Sequence, residues 1–312
     1  MIVCLGTTPT VQRTMTFDRL TLDEVNRAKA VDEYASGKSV NVARVAHLLG
    51  ADVLELGFAG GDRGEFLRRA LTEEGVRHDF VTVGPRSRLC TTVIDSSTGT
   101  VTELVEESAE VAARDWLELR AKFTTAVRRA KVCVLSGSLP PGGPPDFYAK
   151  CAAVARAAGA VTIVDSRGEP LRLAMKDGQG GVIAKLNRTE LAYTLGVPLE
   201  NADQLRAALR GCVPPAAGAL ITMGASGAVA FDGTRPVRIG SPKVAALNPI
   251  GSGDAVAAGA AVALHHGATF IEACVHGIAC GAANAVTSRA GYLRPQDVNA
   301  LLGEVRSSVR DL

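Results

Sequence analysis

The 312-residue chain carries almost no excess of charge of either sign. Its 34 Lys and Arg stand against 32 Asp and Glu, a formal net charge of +2, with the two signs interspersed. A nucleic-acid surface would show a clustered basic stripe, so no nucleic-acid partner is expected. Long apolar runs are missing too. The longest near the C-terminus, residues 255–264, reaches about half a membrane span. It is rich in Ala and Gly, which suits a packed core helix better than lipid, and no membrane partner is expected. The seven cysteines (4, 90, 133, 151, 212, 274 and 280) are odd in number and lack short regular spacing. A disulfide framework and a zinc site are both disfavoured by that pattern. Cys274, His276 and Cys280 fall in one apparent helix without a second ligand pair, which reads as packing. A reducing, cytoplasmic location follows as the expectation. The opening Met1-Ile2-Val3-Cys4-Leu5-Gly6 has no basic leader and reads as a first strand, not a signal peptide. Repeats, linkers and low-complexity segments are also lacking, which leaves one large domain spanning 1–312.

What is present is ordinary globular material: 47% hydrophobic and 21% charged residues, enough for a sizeable core. From Lys131 onward, short β-rich runs alternate with helical patterns. Val132-Cys133-Val134-Leu135 precedes a helix expected over 144–158. Val161-Thr162-Ile163-Val164-Asp165 leads into a short helical segment. Val182-Ile183-Ala184-Lys185 precedes a helix over 189–195, and Ala219-Leu220-Ile221-Thr222 ends in a glycine-rich turn. That rhythm indicates βαβ units and a mostly parallel sheet, with ligands at the carboxyl ends of the strands. Residues 12–35 and 88–107 break the rhythm with period-two, β-branched patterns, and Thr91–Asp95 with Val101–Val105 reads as a hairpin. A small, discontinuous β lid is expected there, and its second apolar face offers a homodimer contact.

Chemistry is concentrated in Asn248-Pro249-Ile250-Gly251-Ser252-Gly253-Asp254, which opens onto a helix of small residues. Free N–H groups and a positive partial charge at a helix N-terminus favour phosphate oxygens, and glycines let the backbone approach them. Asp254 at the helix start can accept a hydroxyl proton while the amides stabilise a transferring phosphoryl group. The plainer reading is a loop with an Asp N-cap. Two other phosphate motifs fail. Ser36-Gly37-Lys38-Ser39 resembles the end of a Walker loop, but Asp32 occupies the place of its first glycine. Gly251-Ser252-Gly253 lacks the third glycine of a dinucleotide fingerprint and lies far from the first strand.

Almost end to end, the pattern resembles the ribokinase-like (PfkB-type) family of carbohydrate kinases. The loop 248–254 looks like its C-terminal signature, and Ser36-Gly37-Lys38-Ser39-Val40-Asn41-Val42-Ala43-Arg44 like its N-terminal one. Gly57-Phe58-Ala59-Gly60-Gly61-Asp62-Arg63-Gly64 and Ser136-Gly137-Ser138-Leu139-Pro140-Pro141-Gly142 are further family segments. The resemblance implies an α/β, ribokinase-like three-layer fold: a central, mostly parallel sheet flanked by helices, plus a small β-sheet lid. It also implies ATP and Mg2+ as cofactors. Asp254 would be the catalytic base, with the Gly251, Ser252 and Gly253 amides as the anion hole. Lys185, Asn187, Thr222, Gly224, Ser226, Gly227 and Asn284 would bind the nucleotide. Asn187 and Glu190 would organise Mg2+, largely through water; the same pair also reads as an N-cap with Glu at N3.

Within the family the chain looks most like the kinases of phosphorylated hexoses, tagatose-6-phosphate kinase and 1-phosphofructokinase. That implies a sugar phosphate (tagatose 6-phosphate or fructose 1- or 6-phosphate type) held by Gln12, Gly37, Lys38, Asn41, Arg88 and Ser138. The fork of Arg88 suits phosphate oxygens. Several positions depart from the family pattern. Gln12 replaces an aspartate expected to hold sugar hydroxyls, Cys90 a common asparagine, and Val105 a polar lid residue. Ser36 and Ser39 replace glycines. The changes cluster at the sugar, so altered acceptor specificity is expected. A kinase of a neutral sugar or nucleoside, or a catalytically silent binding relative, are the alternatives.

Overall fold

The computed structural model describes residues 1–177, 181–199, 201–212 and 218–312. Its strands in the first half are β1 (Ile2–Gly6), β2 (Thr10–Phe17), β3 (Ala30–Ser36), β4 (Val53–Ala59), β5 (Val81–Thr82), β6 (Arg88–Asp95) and β7 (Thr100–Val105). The second half adds β8 (Val132–Ser136), β9 (Val161–Asp165), β10 (Val182–Asn187), β11 (Gly218–Thr222), β12 (Ala228–Phe231), β13 (Pro236–Ile239) and β14 (Arg310–Asp311). Helices α1 (Lys38–Leu48), α2 (Gly61–Glu73), α3 (Ala113–Val127), α4 (Phe147–Ala157) and α5 (Glu169–Asp177) come first. They are followed by α6 (Arg188–Leu195), α7 (Ala202–Cys212), α8 (Ser252–His265), α9 (Phe270–Ala285) and α10 (Pro295–Ser307).

Ten strands form one sheet in the order β14-β13-β12-β11-β10-β9-β8-β1-β4-β5. From β5 to β11 all neighbours are parallel, and β12, β13 and β14 add an antiparallel edge. The parallel strands read as continuous apolar runs because both faces are covered. In β1, Ile2 and Cys4 point into one core, and Val3 and Leu5 into the other. Helices α1, α2, α8, α9 and α10 cover the first face, and α3 to α7 the second. The expected three layers are present.

Small residues let α8 and α9 pack closely: a Cβ on Gly277 would lie 2.6 Å from the Val256 carbonyl oxygen. Cys274 and Cys280 are buried in this seam, and His276 Nδ1 lies 3.0 Å from the Gly259 carbonyl oxygen. Among the described residues no helix is long and apolar enough to cross a membrane.

The second sheet has the order β3-β2-β6-β7 and joins the two segments that broke the βα rhythm. Residues 18–29, inside the expected β segment, form no strand. Asn26 folds that stretch back on itself, its Oδ1 accepting from the Thr21 N–H at 2.9 Å. The helix expected from 144 begins at Phe147, whose N–H bonds the Pro144 carbonyl at 3.0 Å. Pro144 and Pro145 supply a turn ahead of the helix, having no N–H groups of their own.

Candidate active site

The loop before α8 is fixed by its backbone. Gly251, the N-cap, has φ +79°, and a Cβ there would lie 2.4 Å from the Gly291 nitrogen. Only glycine meets both conditions without strain. Asn248 anchors the loop's start: its Nδ2 donates to the Ser288 carbonyl at 3.0 Å, and its Oδ1 accepts from the Ile250 N–H at 3.0 Å. Asn284 braces the loop from behind. Its Nδ2 donates to the Ile250 carbonyl (3.0 Å) and Ser252 Oγ (3.1 Å), and its Oδ1 accepts from the Tyr292 N–H (3.1 Å).

Ser252, Gly253 and Asp254 are the first three residues of α8, so Asp254 is not the N-cap of the plainer sequence reading. Neither α8 nor α1, whose N-cap is Gly37, is capped by a side chain among the described residues. The Ser252 N–H donates to the Pro249 carbonyl at 3.2 Å, and both helix starts border a cavity of about 860 Å³ that includes Gly37, Lys38, Gly251, Ser252, Gly253 and Asp254. Two uncapped helix N-termini at one cavity favour negative charge there.

Opposite charges crowd the floor of that cavity. Asp165, at the carboxyl end of β9, is fully buried between two ammonium groups: Lys185 Nζ at 2.6 Å and Lys38 Nζ at 2.7 Å. Burial alone would raise its pKa, but Lys185 and Lys38 hold the carboxyl below its usual range. Lys38 also reaches Glu190 Oε1 at 3.3 Å. Burial would lower its pKa, yet Asp165, Glu190 and Asp254 together raise it above the ordinary lysine value. Asp254 accepts from Asn41 Nδ2 at 2.8 Å. Burial, then the charge of Asp165, push its carboxyl up to about 6, against the pull of Lys38, Lys185 and the Asn41 hydrogen bond. A carboxylate with a raised pKa beside anion-binding amides is equipped to take a proton near neutral pH.

The small sheet supplies the opposite wall, through Thr10, Gln12, Arg88, Cys90, Glu103 and Val105. Gln12 pairs with Cys90 in register, and Cys90 with Val105. Three of the five residues that depart from the family pattern, Gln12, Cys90 and Val105, therefore form one lateral row across β2, β6 and β7. Gln12 Nε2 donates to Thr92 Oγ1 at 2.8 Å, which leaves its Oε1 as an acceptor. Arg88 Nη2 donates to the Thr8 carbonyl at 3.1 Å, while its buried Nε has no partner. Glu103, an exposed residue, faces the same space: partial desolvation raises its carboxyl pKa, and the charge of Arg88 opposes that rise.

At the far end lie Thr222, Gly224 and Gly227, with Ala225 and the segment around Ser241, Lys243 and Val244. Asn187 and Glu190 also border the cavity, joined as a capping box. Asn187 Oδ1 accepts from the Glu190 N–H at 2.8 Å, and Glu190 Oε2 from the Asn187 N–H at 2.9 Å. With these oxygens engaged and Glu190 Oε1 near Lys38, the pair fits a hydrated Mg2+ held through water better than a directly ligated one.

Three positions expected at the site from their place in the chain lie outside the cavity lining. Asn284 was expected at the adenine pocket; it is wholly buried, spends its amide on the loop and does not line the cavity. Ser226 sits in the exposed single-turn helix 224–226, outside the lining. Ser138 is exposed and also outside it, although its carbonyl accepts from Thr7 Oγ1 at 3.0 Å. The sequence patterns did not single out Glu103, which lines the cavity, or Asp165, which lies behind it and pairs with the lining Lys38 and Lys185. An Asp at the carboxyl end of a core parallel strand was one available signal. Period two was the other, since Glu103 lies two residues from the flagged Val105 on the same strand face.

Comparison with known proteins fits this geometry. A family model described as pfkB family carbohydrate kinase matches residues 1–297. The fold is shared with phosphofructokinase-2 from Escherichia coli in complex with fructose-6-phosphate, at TM-score 0.86 and 23% identity, covering 98% of this chain and 99% of that one. A possible 1-phosphofructokinase from Thermotoga maritima gives TM-score 0.88 and 21% identity over 100% of both chains. Ribokinase from Arabidopsis thaliana, complexed with ribose and ATP, gives TM-score 0.74 and 21% identity, covering 96% and 98%.

Proposed function

The chain belongs to the pfkB family of carbohydrate kinases, and on that premise we propose that it phosphorylates a hexose phosphate from ATP. The acceptor is of the tagatose 6-phosphate or fructose 1- or 6-phosphate type, and the product is the bisphosphate. The observation that carries this reading is the buried carboxylate of Asp254 beside the uncapped α8 terminus. Asp254 takes the proton of the acceptor hydroxyl as its oxygen bonds the γ-phosphorus. The bond from that phosphorus to the β,γ-bridging oxygen breaks in line, and ADP leaves. Amides of Gly251 and Gly253 stabilise the charge on the transferring group, with Lys38 and Lys185 as nearby cations, while the Ser252 amide expected beside them donates to the Pro249 carbonyl. When bound, Mg2+ would neutralise phosphate charge from a hydrated position beside Asn187 and Glu190.

Thr222, Gly224 and Gly227 define the nucleotide end; Gln12, Lys38, Asn41 and Arg88 define the acceptor end. The unpartnered Nε of Arg88 supports a phosphorylated acceptor. Glu103 on the same wall favours a second reading, a neutral sugar or nucleoside, because a carboxylate repels phosphate. The row Gln12–Cys90–Val105 supports an acceptor specificity that differs from the family pattern. The small sheet acts as a lid that excludes water during transfer. Its exposed Val31 and Leu104, with Leu22 and Val25 on the adjoining loop, form the contact of a homodimer. Cys4, Cys90, Cys133, Cys151, Cys274 and Cys280 are free and buried, which suits a reducing cytoplasm.

An ADP-release assay over hexose phosphates, free hexoses and nucleosides tests the proposal. Turnover is expected with a hexose phosphate. Activity confined to free sugars or nucleosides selects the second reading, and a blank panel points to a silent binding relative.

A further inference from the structure

We propose that Ser36 and Arg44 are positioning residues for Asp254, acting by fixing which way the side-chain amide of Asn41 faces. The proposal deepens the reading of Asp254 as the base. Asn41 Oδ1 accepts from Ser36 Oγ at 3.0 Å and from Arg44 Nη1 at 3.3 Å, while its Nδ2 donates to Asp254 at 2.8 Å. Ser36, Asn41 and Arg44 are all buried, Ser36 and Asn41 at the edge of the cavity. A rotated amide would set its oxygen against the carboxylate and its N–H groups against a guanidinium. The two donors come from different elements, Ser36 from the end of β3 and Arg44 from α1.

Arg44 is itself held firmly. Its Nε donates to Glu74 Oε2 at 2.7 Å, and its Nη2 to the Ala35 carbonyl. Glu74 also accepts from Arg289 Nη2 at 2.7 Å, and Arg289 lies over the Tyr34 ring, 4.5 Å from its centroid. The Tyr34 hydroxyl in turn accepts from the Ala290 N–H at 3.1 Å. The β3 strand of the small sheet, the 286–292 loop and the base are thus joined through one set of buried and half-buried polar contacts. The charged groups facing Asp254 are Asp165 from β9, Lys185 from β10 and Lys38 from α1, with Glu190 of α6 behind Lys38. Asn41 adds a neutral donor that favours the ionised carboxylate.

The test is a carbon-13 NMR titration of the Asp254 carboxyl in the full-length protein, without substrate, its signal identified by its loss in Asp254→Asn. Asn41→Leu is expected to raise the midpoint by about one pH unit. Ser36→Ala should reproduce part of that rise, Ser36→Ala with Arg44→Lys most of it, and Ser36→Thr should restore the wild-type midpoint. Ser36→Ala removes one oxygen and keeps the test open if the Arg44 variant fails to fold. The proposal is overturned if Asn41→Leu moves the midpoint while Ser36→Ala does not. It is equally overturned if Asn41→Leu leaves the midpoint in place. Turnover of Asp254→Asn judges the base assignment separately, since the titration needs no catalysis.

Discussion

Replacing Asp254 by Asn should slow the enzyme and stabilise the fold at the same time. The side chain keeps its shape and can still accept from Asn41, but it can no longer take a proton. Loss of a positioned general base lowers turnover by about 10²–10⁴-fold. Stability moves the other way because the folded carboxyl titrates at about 6 and the free one at 3.8. A carboxyl pKa raised by folding costs stability wherever the group is ionised, so the penalty is full above pH 6 and vanishes below 3.8. Roughly two pKa units correspond to about 3 kcal/mol at pH 8, and to about half of that near pH 5. For a protein of this length that is a rise in Tm of about 4 °C at pH 8. Calorimetry at the two pH values, with an ADP-release assay, reads both effects. A turnover loss below tenfold refutes the base assignment. An equal Tm gain at both pH values refutes the electrostatic account.

The same raised pKa predicts that kcat/KM falls about tenfold per pH unit below about 6, and a pH profile with saturating ATP checks it. Asp165→Asn strands Lys185 and Lys38 without their shared carboxylate; a loss of about 3–5 kcal/mol in urea unfolding is expected. Gly251→Ala places a Cβ 2.4 Å from the Gly291 nitrogen at φ +79°, so it should destabilise the fold by about 2 kcal/mol and depress turnover. Arg88→Ala should raise KM for a phosphorylated acceptor by about tenfold or more and leave KM for ATP unchanged; an unaltered acceptor KM would favour a neutral sugar.

The family and its architecture were legible in the sequence because both depend on local pattern. Alternating apolar runs and helical periods marked the parallel sheet, and period-two segments marked the second sheet, because side-chain direction along a strand or helix follows spacing alone. Gly251 through Asp254 announced a glycine-rich helix start for the same local reason. Three things became visible only once distant segments met. Asp165 looks like an ordinary strand end until Lys38 and Lys185, 127 and 20 residues away, converge on it. Gln12, Cys90 and Val105 are separate departures in the sequence, and strand register makes them one row. Asn284 carried a nucleotide-site expectation from its place in the chain, but the packing of α9 turns its amide onto the loop. Sequence spacing determines which face of an element a residue occupies. What that face meets, and therefore the charge, burial and protonation of Asp254, is decided by contacts between segments far apart in the chain.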